Sequence, residues 1–478
     1  MTEYEVVIGL ETHIQINTKT KIFCGCKADS WGAPPNSNIC PVCSGLPGVL
    51  PVLNKAAVEK AAILAAAMHA EICSVSYFDR KNYFYPDLPK GYQITQYDQA
   101  LGRGGYFEIP MPEGYVRRVR IHKLHLEEDA GKTKNEQGRR LIDFNRCGVP
   151  LVEMVTEPDL RSADEAAQYL IRLRQLLRWL EVSEADMEKG HLRCDANVSI
   201  RVKGSKKLNT KTEIKNVNSI DAVRNAITSE IERQIKDVEA GKSIQAWTLD
   251  WDDERGMLQK MRSKETEADY RYFREPDLLP LWIDEKWCES IVAELPELPL
   301  ERRERFMKEY GLPLYDADIL TGDRPLSDYY EAAVQSYPGD SKTVSNWIIN
   351  DVLRILNDLG VTADYLNLSP QYLAAIIKLI DENKINTATG KGLLMKVQET
   401  KKAPAQIFEE EGLGLIGDDV AIRQACEEVI AENPAEVASF REGKDSLLGW
   451  FLGQVMRKTG GKVDPKLTRQ ILVELLKG

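Results

Sequence analysis

Acidic and histidine side chains occupy the polar side of several stretches that alternate with a period of two. In EYEVVIGLETHIQI, Glu11 and His13 lie opposite a run of apolar residues, as in a half-buried β-strand. KLHLEEDAGK ends a similar stretch with Glu127 and Glu128. Carboxylate oxygens are the ligands that Mg²⁺ prefers. Taken singly, each stretch is more typical of a solvated strand face.

Two further stretches repeat this arrangement. Asp195 lies on the polar side of RCDANVSIRV, and Glu213 shares a side of KTEIKN with two lysines. Because several strands of one domain each offer a carboxylate, we expect a sheet whose polar face is acidic and holds Mg²⁺. A phosphate loop of the GxxxxGK[ST] type is absent from the sequence, so metal and carboxylates would have to hold any nucleotide phosphates.

Four cysteines form two close pairs, with Cys24 and Cys26 separated by 13 residues from Cys40 and Cys43. Two such pairs can converge into a tetrahedral zinc site. A site filled by four thiolates is closed, so this zinc would be structural rather than catalytic. The alternative is four reduced cysteines without metal.

Composition restricts the setting. The net charge of −11 and the odd number of cysteines, nine, favour a cytoplasmic protein that has no DNA partner and no disulfide framework. We expect no membrane segment and no signal peptide, because no apolar run approaches about 20 residues and the first residues lack basic side chains.

The remaining patterns predict the elements that position these residues. Helical periodicity is clear in residues 55–70, 165–180 and 219–241. These helices and the period-two stretches predict an α+β N-terminal domain. Residues 293–306 (AELPELPLERRERF) indicate a linker, and nearly everything after them reads as helix. We therefore predict domains at 1–294, 295–405 and 406–478.

The last 38 residues are locally basic, with eight Lys and Arg against four Asp and Glu in residues 441–478. A basic tail on an acidic body suits a contact with RNA, although a solvated helix surface explains the charge equally well. The tail residues that we expect on or near a helical hairpin are Lys444, Arg457, Lys458, Lys462, Lys466 and Arg469.

Longer motifs resemble one family throughout the chain. These motifs include VIGLETHIQI, CPVCSGLPGVLPVLN, RKNYFYPDLPKGYQITQYD, LHLEEDAGK, DFNRCGVPLVEMVTEPD, TEIKNVNS and DYRYFREPDLLPL. They are similar to the B subunits of the aspartyl/glutamyl-tRNA(Asn/Gln) amidotransferases, the GatB/GatE family. The resemblance implies a cradle domain with a glutamine synthetase-like antiparallel sheet, followed by an all-α helical domain and a tRNA-binding tail domain.

The resemblance also implies an activity. It implies ATP-dependent activation of misacylated Glu-tRNA(Gln) or Asp-tRNA(Asn), followed by transamidation with ammonia. The ammonia would come from a glutaminase (amidase) partner, the family's A subunit, and the small C subunit would complete a heterotrimer. The implied cofactors are ATP, Mg²⁺ and a structural Zn²⁺.

The residues that the resemblance assigns to the site are the period-two carboxylates and their neighbours. The implied magnesium pocket consists of Glu11, His13, Glu127, Glu128, Asp195 and Glu213. Of these, Glu128 and Asp195 would also contact ATP, while Lys81 and Lys90 are candidates for phosphate contact or for the route of ammonia. His13 has the alternative of being a hydrogen-bonded histidine in the sheet.

Two rival functions follow from the same residues. The segment QAWTLDWDDE (245–254) lacks a glutamate and an arginine that relatives usually carry, and YFREPD stands in place of YFPEPD. These departures favour a catalytically weak, zinc-stapled scaffold that positions tRNA. The second rival is a free-standing ligase that acts on a small carboxylate, against which the basic tail counts.

Overall fold

The acidic period-two stretches form neighbouring strands of one large sheet in a computed structural model of the chain. The structure describes residues 3–263, 267–414, 419–461 and 463–477. Among these residues the chain divides into two compact units, Met1–Leu298 and Pro299–Gly478. The predicted fold class, a sheet-bearing N-terminal domain followed by helices, is confirmed. The three-domain division remains a prediction.

The strands all belong to the first unit. They are β1 Tyr4–Gln15, β2 Glu71–Ile72, β3 Val75–Ser76, β4 Asp79–Asn82, β5 Tyr92–Thr95, β6 Gly102–Arg103, β7 Tyr106–Pro110, β8 Val116–Glu128, β9 Lys132–Glu136, β10 Arg139–Asp143, β11 Pro150–Thr156, β12 Leu192–Val202, β13 Thr212–Val217, β14 Trp247–Asp252, β15 Met257–Ser263, β16 Phe273–Arg274 and β17 Leu281–Trp282.

Ten of these strands form one sheet, in the order β15-β14-β13-β12-β1-β11-β8-β6-β2, with β7 also paired to β8. Its pairings within the described residues are antiparallel, as predicted, except that β13 and β14 run parallel. Strands β13, β12, β1, β11 and β8 are therefore consecutive neighbours, and they are the strands that carry the acidic side chains.

Three helices cover the apolar face of this sheet. They are α1 Lys55–Ala67, α2 Ala163–Trp179 and α3 Ile220–Glu239. Their apolar stripes share one core with the strands, in which Tyr169 and Trp179 of α2 are almost fully buried. Each such ring contributes about 1.5–3 kcal/mol by leaving water. With one face covered in this way, the opposite polar face is left to carry chemistry.

The second unit is helical. Helix α4 Glu285–Ala293 ends the first unit, and the second contains α5 Pro299–Glu309, α6 Leu314–Leu320, α7 Arg324–Ser336, α8 Ser341–Trp347, α9 Leu353–Leu359, α10 Pro370–Asp381, α11 Thr387–Thr400, α12 Pro404–Glu410, α13 Asp419–Glu432, α14 Pro434–Arg441, α15 Leu447–Lys458 and α16 Pro465–Lys477. Its buried side chains form two clusters, one from Phe306 to Ile407 and one from Ile422 to Leu476. No helix in the described ranges is long and apolar enough to cross a membrane.

The linker predicted over residues 293–306 is wrong in its second half, because α5 already begins at Pro299. Proline fits the first turn of a helix, where its missing N–H is not needed. The predicted C-terminal hairpin is confirmed: α15 and α16 pack against each other across the Gly460-Gly461 turn.

Candidate active site

One histidine and two glutamates meet at the centre of the polar face. His13 of β1 lies opposite Glu153 of β11 in the strand register, and its Nε2 is 3.5 Å from Glu153 Oε2. The same nitrogen is 3.6 Å from Glu127 Oε1 of β8. The three side chains each offer a ligand atom within 4.8 Å of the others. We call these residues the His13 cluster.

Electrostatics keep the carboxylates of this cluster ionised. Burial by itself lowers the pKa of His13, but the hydrogen bond and charge of Glu153, with the charge of Glu127, raise that pKa to about 9. For Glu153, burial acts in the opposite direction and raises the pKa. The charges of His125 and His13 and their hydrogen bonds to Glu153 outweigh burial and hold this pKa well below its usual value. His125 Nε2 approaches both glutamates, at 3.4 and 3.7 Å.

Three carboxylates form a second group beside the first. Glu11 of β1 lies opposite Asp195 of β12, and Glu213 of β13 completes a set whose oxygens lie within 4.8 Å. Lys215 Nζ is 2.7 Å from Asp195 and 3.4 Å from Glu213. Burial lowers the pKa of Lys215, but these two carboxylates reverse the effect and raise it. We call the three acids the Glu11 cluster.

Both clusters suit divalent cations by their donor chemistry. The Glu11 cluster offers only carboxylate oxygens, the ligand set of Mg²⁺. The His13 cluster adds an imidazole nitrogen, which Mn²⁺ and other transition metals also accept. Because Glu11 and His13 are two residues apart on one strand, the clusters lie about 7 Å apart along it.

The structure does not bring Glu128 to either cluster. Glu128 leaves β8 on the opposite face from Glu127, where its carboxylate pairs with Lys90 and accepts the Ile94 N–H at 2.9 Å. Both partners of this ion pair are buried, with side chains 5% and 11% exposed. They line a small cavity that also contains Cys24 and Cys43.

Lys81 lies against aromatic rings. Its Nζ is 4.6 Å from the ring centre of Tyr270 and 5.9 Å from that of Tyr83. The charge of Glu127 also bears on Tyr83, whose pKa is raised, chiefly by burial. Lys81 is therefore held by cation–π contacts near the His13 cluster.

The four cysteines predicted to bind zinc converge. Cys24, Cys26, Cys40 and Cys43 place their sulfur atoms within 4.8 Å of one another. The Cys24 thiol, which donates to Cys43, lowers the pKa of Cys43 to about 4, and nearby Lys21 adds to this effect. Four sulfur atoms that converge in this way are the ligand set of a closed zinc site.

Sequence reasoning missed Glu153, His125 and Arg193, whereas Lys215 is one of the two lysines expected on the same side of KTEIKN as Glu213. Arg193 lies opposite His13 in the strand register and pairs with Asp129 at 3.0 Å. A signal for Glu153 was present, because it is the single acid inside the apolar run PLVEMV. A buried strand with one carboxylate is unusual enough to mark a site.

Comparisons with known proteins identify the family. One family model, described as the GatB/GatE catalytic domain, matches residues 6–289, and a second, the GatB domain, matches residues 328–476. The chain belongs to the GatB/GatE family.

Its curated relatives match over their full length. The chain is 50% identical over 476 residues to the B subunit of the aspartyl/glutamyl-tRNA(Asn/Gln) amidotransferase of Thermodesulfovibrio yellowstonii, covering 99% of this chain and 100% of that protein. Identity is 48% over 475 residues to the corresponding B subunit of Persephonella marina, with the same coverage. For Caldicellulosiruptor bescii the identity is 47% over 479 residues, covering 99% of each chain.

The departures of this GatB/GatE member from its relatives leave the clusters intact. The segment 245–254 contributes β14, whose Thr248 donates to Glu213 at 3.3 Å. Arg274 of YFREPD binds the buried Asp79 at 2.8 Å and reaches Asp98 at 2.7 Å.

The basic side chains of the C-terminal tail differ in whether they form ion pairs within the protein. Lys458 Nζ is 2.9 Å from Glu428 and 2.6 Å from Glu432. Arg457, its neighbour on α15, is exposed and has no ion pair within the described ranges. Lys462 lies outside the described residues.

Proposed function

We propose that this chain is the component that activates the side-chain carboxylate of misacylated Glu-tRNA(Gln) or Asp-tRNA(Asn) with ATP and then amidates it. The observation that carries the proposal is that the His13 cluster and the Glu11 cluster adjoin on one face of the sheet, each with three side chains that could hold a metal ion. The relatives are named as B subunits of aspartyl/glutamyl-tRNA(Asn/Gln) amidotransferases, and these names give the substrates.

The reaction has two displacement steps. A carboxylate oxygen of the substrate attacks the γ-phosphorus of ATP, ADP leaves, and an acyl phosphate forms. Ammonia then attacks the acyl carbon, inorganic phosphate leaves, and the nitrogen loses a proton. Magnesium, when bound, would neutralise charge on the transferring phosphoryl group. The carboxylates of the Glu11 cluster and the His13 cluster would hold it, and Lys215 would orient Asp195 and Glu213.

Ammonia must reach the acyl phosphate unprotonated and apart from water. The Lys90–Glu128 pair lies on the other face of β8 from Glu127, in a small cavity that Val49 and Pro51 also line. Their chain neighbours Leu50 and Val52 are exposed. This arrangement supports a route for ammonia past Lys90 and a docking surface for the glutaminase partner. The small third component of the complex would complete the heterotrimer.

Zinc and tRNA occupy other parts of the chain in this proposal. The four converging cysteines would bind one structural Zn²⁺. Exposed cations of the C-terminal hairpin would contact phosphates of the tRNA, adding affinity without reading bases.

The test is ATP hydrolysis by the chain assembled with its partner proteins. Hydrolysis should depend on Glu-tRNA or Asp-tRNA, and added hydroxylamine should trap the acyl phosphate as a hydroxamate. Glu213→Gln should abolish both signals while leaving tRNA binding intact. If the wild-type complex gives neither signal with either tRNA, the chain is a tRNA-binding scaffold. Turnover of small carboxylates without any need for tRNA would instead establish a free-standing ligase.

A further inference from the structure

Lys21 is fully buried, and its side chain lies beside the cysteine group. Its Nζ is 3.6 Å from Cys43 Sγ and donates to the backbone oxygen of Asn38 at 2.9 Å. We propose that Lys21 is the counter-ion of the zinc site. Its ammonium group balances the negative charge of the metal-bound thiolates and donates to Cys43 Sγ, and both effects hold the metal in place. The inference rests on the zinc binding put forward under the proposed function.

The cysteine group is the anionic partner available to Lys21. Lysine is almost never fully buried unless its charge is paired, yet no Asp or Glu forms an ion pair with Lys21 among the described residues. A buried charge without an opposite charge is strongly destabilising. Four neutral thiols would leave Lys21 in that state, whereas metal-bound thiolates supply the negative charge. The burial of Lys21 therefore favours a metal-loaded group over four free thiols.

The charge of the zinc site itself calls for a nearby cation. Four thiolates around Zn²⁺ leave a net charge of about −2. Inside a protein, where the effective dielectric constant is lower than in water, such a charge is costly unless a cation lies close to it. Lys21 places one positive charge within hydrogen-bonding distance of one sulfur atom, so it should strengthen metal binding.

Lys21 contacts both cysteine pairs. Its backbone N–H donates to the oxygen of Cys26 in the first pair at 2.9 Å, and its side chain reaches Cys43 in the second. The Cys40 N–H also donates to Cys43 Sγ, at 3.2 Å, so this sulfur receives two donors. Groups that hydrogen-bond to a metal ligand orient it, and their removal usually lowers metal affinity by about 10–100-fold.

A purely structural role for Lys21 would depend on its hydrogen bond to Asn38. That bond fixes the chain two residues before Cys40, and it requires an N–H donor but no charge. The two roles therefore differ in one respect, since only the role of counter-ion requires a positive charge beside the sulfur.

The experiment compares two neutral replacements in the full-length chain. Lys21→Met removes the charge and the donor, whereas Lys21→Gln removes the charge and keeps an N–H donor for Asn38. In competition with a chelator, both variants should bind zinc about tenfold more weakly than wild type. Lys27→Met is the matched control, because Lys27 directly follows Cys26 and is exposed. Its charge is screened by water and salt, so zinc affinity should stay at the wild-type value.

Cobalt provides a readout that a structural role would not change. Co²⁺ can replace zinc in thiolate sites, where it shows a sulfur-to-metal charge-transfer absorption band. A nearby cation and a hydrogen bond stabilise the sulfur electrons and so raise the energy of this band. The band should therefore shift to longer wavelength in Lys21→Met and Lys21→Gln, and it should keep its position in Lys27→Met.

Circular dichroism first establishes which variants are folded. Wild-type zinc affinity and a wild-type cobalt band in folded Lys21→Gln would overturn the inference, because charge would then have no role. Failure of both variants to fold where zinc-free wild type stays folded would likewise assign Lys21 to the fold rather than to the metal. If Lys21→Met alone fails to fold, Lys21→Gln decides by the same two measurements. Wild-type protein that binds neither zinc nor cobalt would remove the zinc site from the proposed function as well.

Discussion

Glu127 and Glu128 are adjacent in the chain, yet their carboxylates lie on opposite faces of β8. Glu127 Oε1 is 3.6 Å from His13 on the polar face. Glu128 is paired with Lys90 on the other face, beside the cysteine group. One strand therefore serves two separate buried charge groups, and substitutions at these two neighbours should have different consequences.

Glu127→Gln should lower ATP-dependent activation by about a hundredfold or more, whichever source supplies nitrogen, because it removes a charged ligand next to the phosphoryl group. Glu128→Gln should leave ATP hydrolysis and the use of added ammonium chloride nearly intact. It should lower the glutamine-dependent reaction, since it breaks the ion pair on the proposed ammonia route. Assays with glutamine and with ammonium chloride in parallel separate the two effects.

The two glutamines are isosteric controls for each other, since they make the same charge change at adjacent positions. Equal loss with both nitrogen sources for Glu128→Gln would place Glu128 in the activation chemistry. Equal activity of Glu127→Gln and wild type would remove Glu127 from the metal site.

The position of Glu128 on the opposite face from Glu127 could have been predicted from the sequence. Side chains of consecutive strand residues point to opposite faces, so LEEDAGK could not send Glu127 and Glu128 into one pocket while the strand stayed regular. The alternation that grouped Glu11 with His13 separates these two. The strand, however, had to be known to extend through Glu128 before the rule applied.

Other features required the tertiary structure. The alternation in β1 and β12 gave their polar faces, but the order of strands in the sheet decides which faces adjoin. β11 lies between β1 and β8, and this position alone brings Glu153 to His13 and Glu127. A local sequence pattern does not show which strands pair when they are more than a hundred residues apart. Glu153 and Arg193 therefore could not be assigned to the site from the sequence.

Zinc removal should destabilise the first unit rather than alter the chemistry. Cys43→Ser should release about one equivalent of zinc per chain and lower the thermal midpoint by at least about 5 °C, because binding energy of a structural metal is folding energy. Cys73→Ser, away from the group, should keep both values. Metal analysis of protein purified without chelator provides the measurement. Full zinc content in Cys43→Ser would show that Cys43 is not a ligand.

The ionised side chain of Glu331 should make the stability of the second unit depend on pH. Burial raises the pKa of Glu331, but hydrogen bonds from Arg305 and Arg302 outweigh this and lower it from 4.5 to about 2. A depressed folded-state pKa stabilises the fold above the unfolded value, and that stability is lost as pH falls from about 4.5 towards 2. Glu331→Gln should therefore be less stable than wild type at pH 7, with a difference that shrinks below pH ~4.5.

Urea unfolding of both proteins at pH 7, 5 and 3.5 gives this difference directly. Glu304→Gln is the matched control, because Glu304 is exposed on α5, the helix that carries Arg302 and Arg305. A difference between wild type and Glu331→Gln that is constant across this range would mean that the carboxylate is not held ionised by its arginines.

The tail contains a matched pair for testing the RNA contact. Arg457 and Lys458 are neighbours at the end of α15, but Lys458 is paired with Glu428 and Glu432 whereas Arg457 has no ion pair among the described residues. An unpaired surface cation is free to neutralise a phosphate and release a counterion. The two positions should therefore differ in their contribution to tRNA affinity, although they carry the same charge.

Arg457→Gln should weaken Glu-tRNA binding and reduce the slope of log affinity against log salt by about one. Lys458→Gln should change the slope less, because its charge is already balanced within the tail. Filter binding or fluorescence anisotropy between 50 and 200 mM salt resolves a difference of this size. If neither variant nor the combined substitution of Lys444, Lys466 and Arg469 alters the slope, the hairpin does not contact phosphate and its basic residues are ordinary solvated surface.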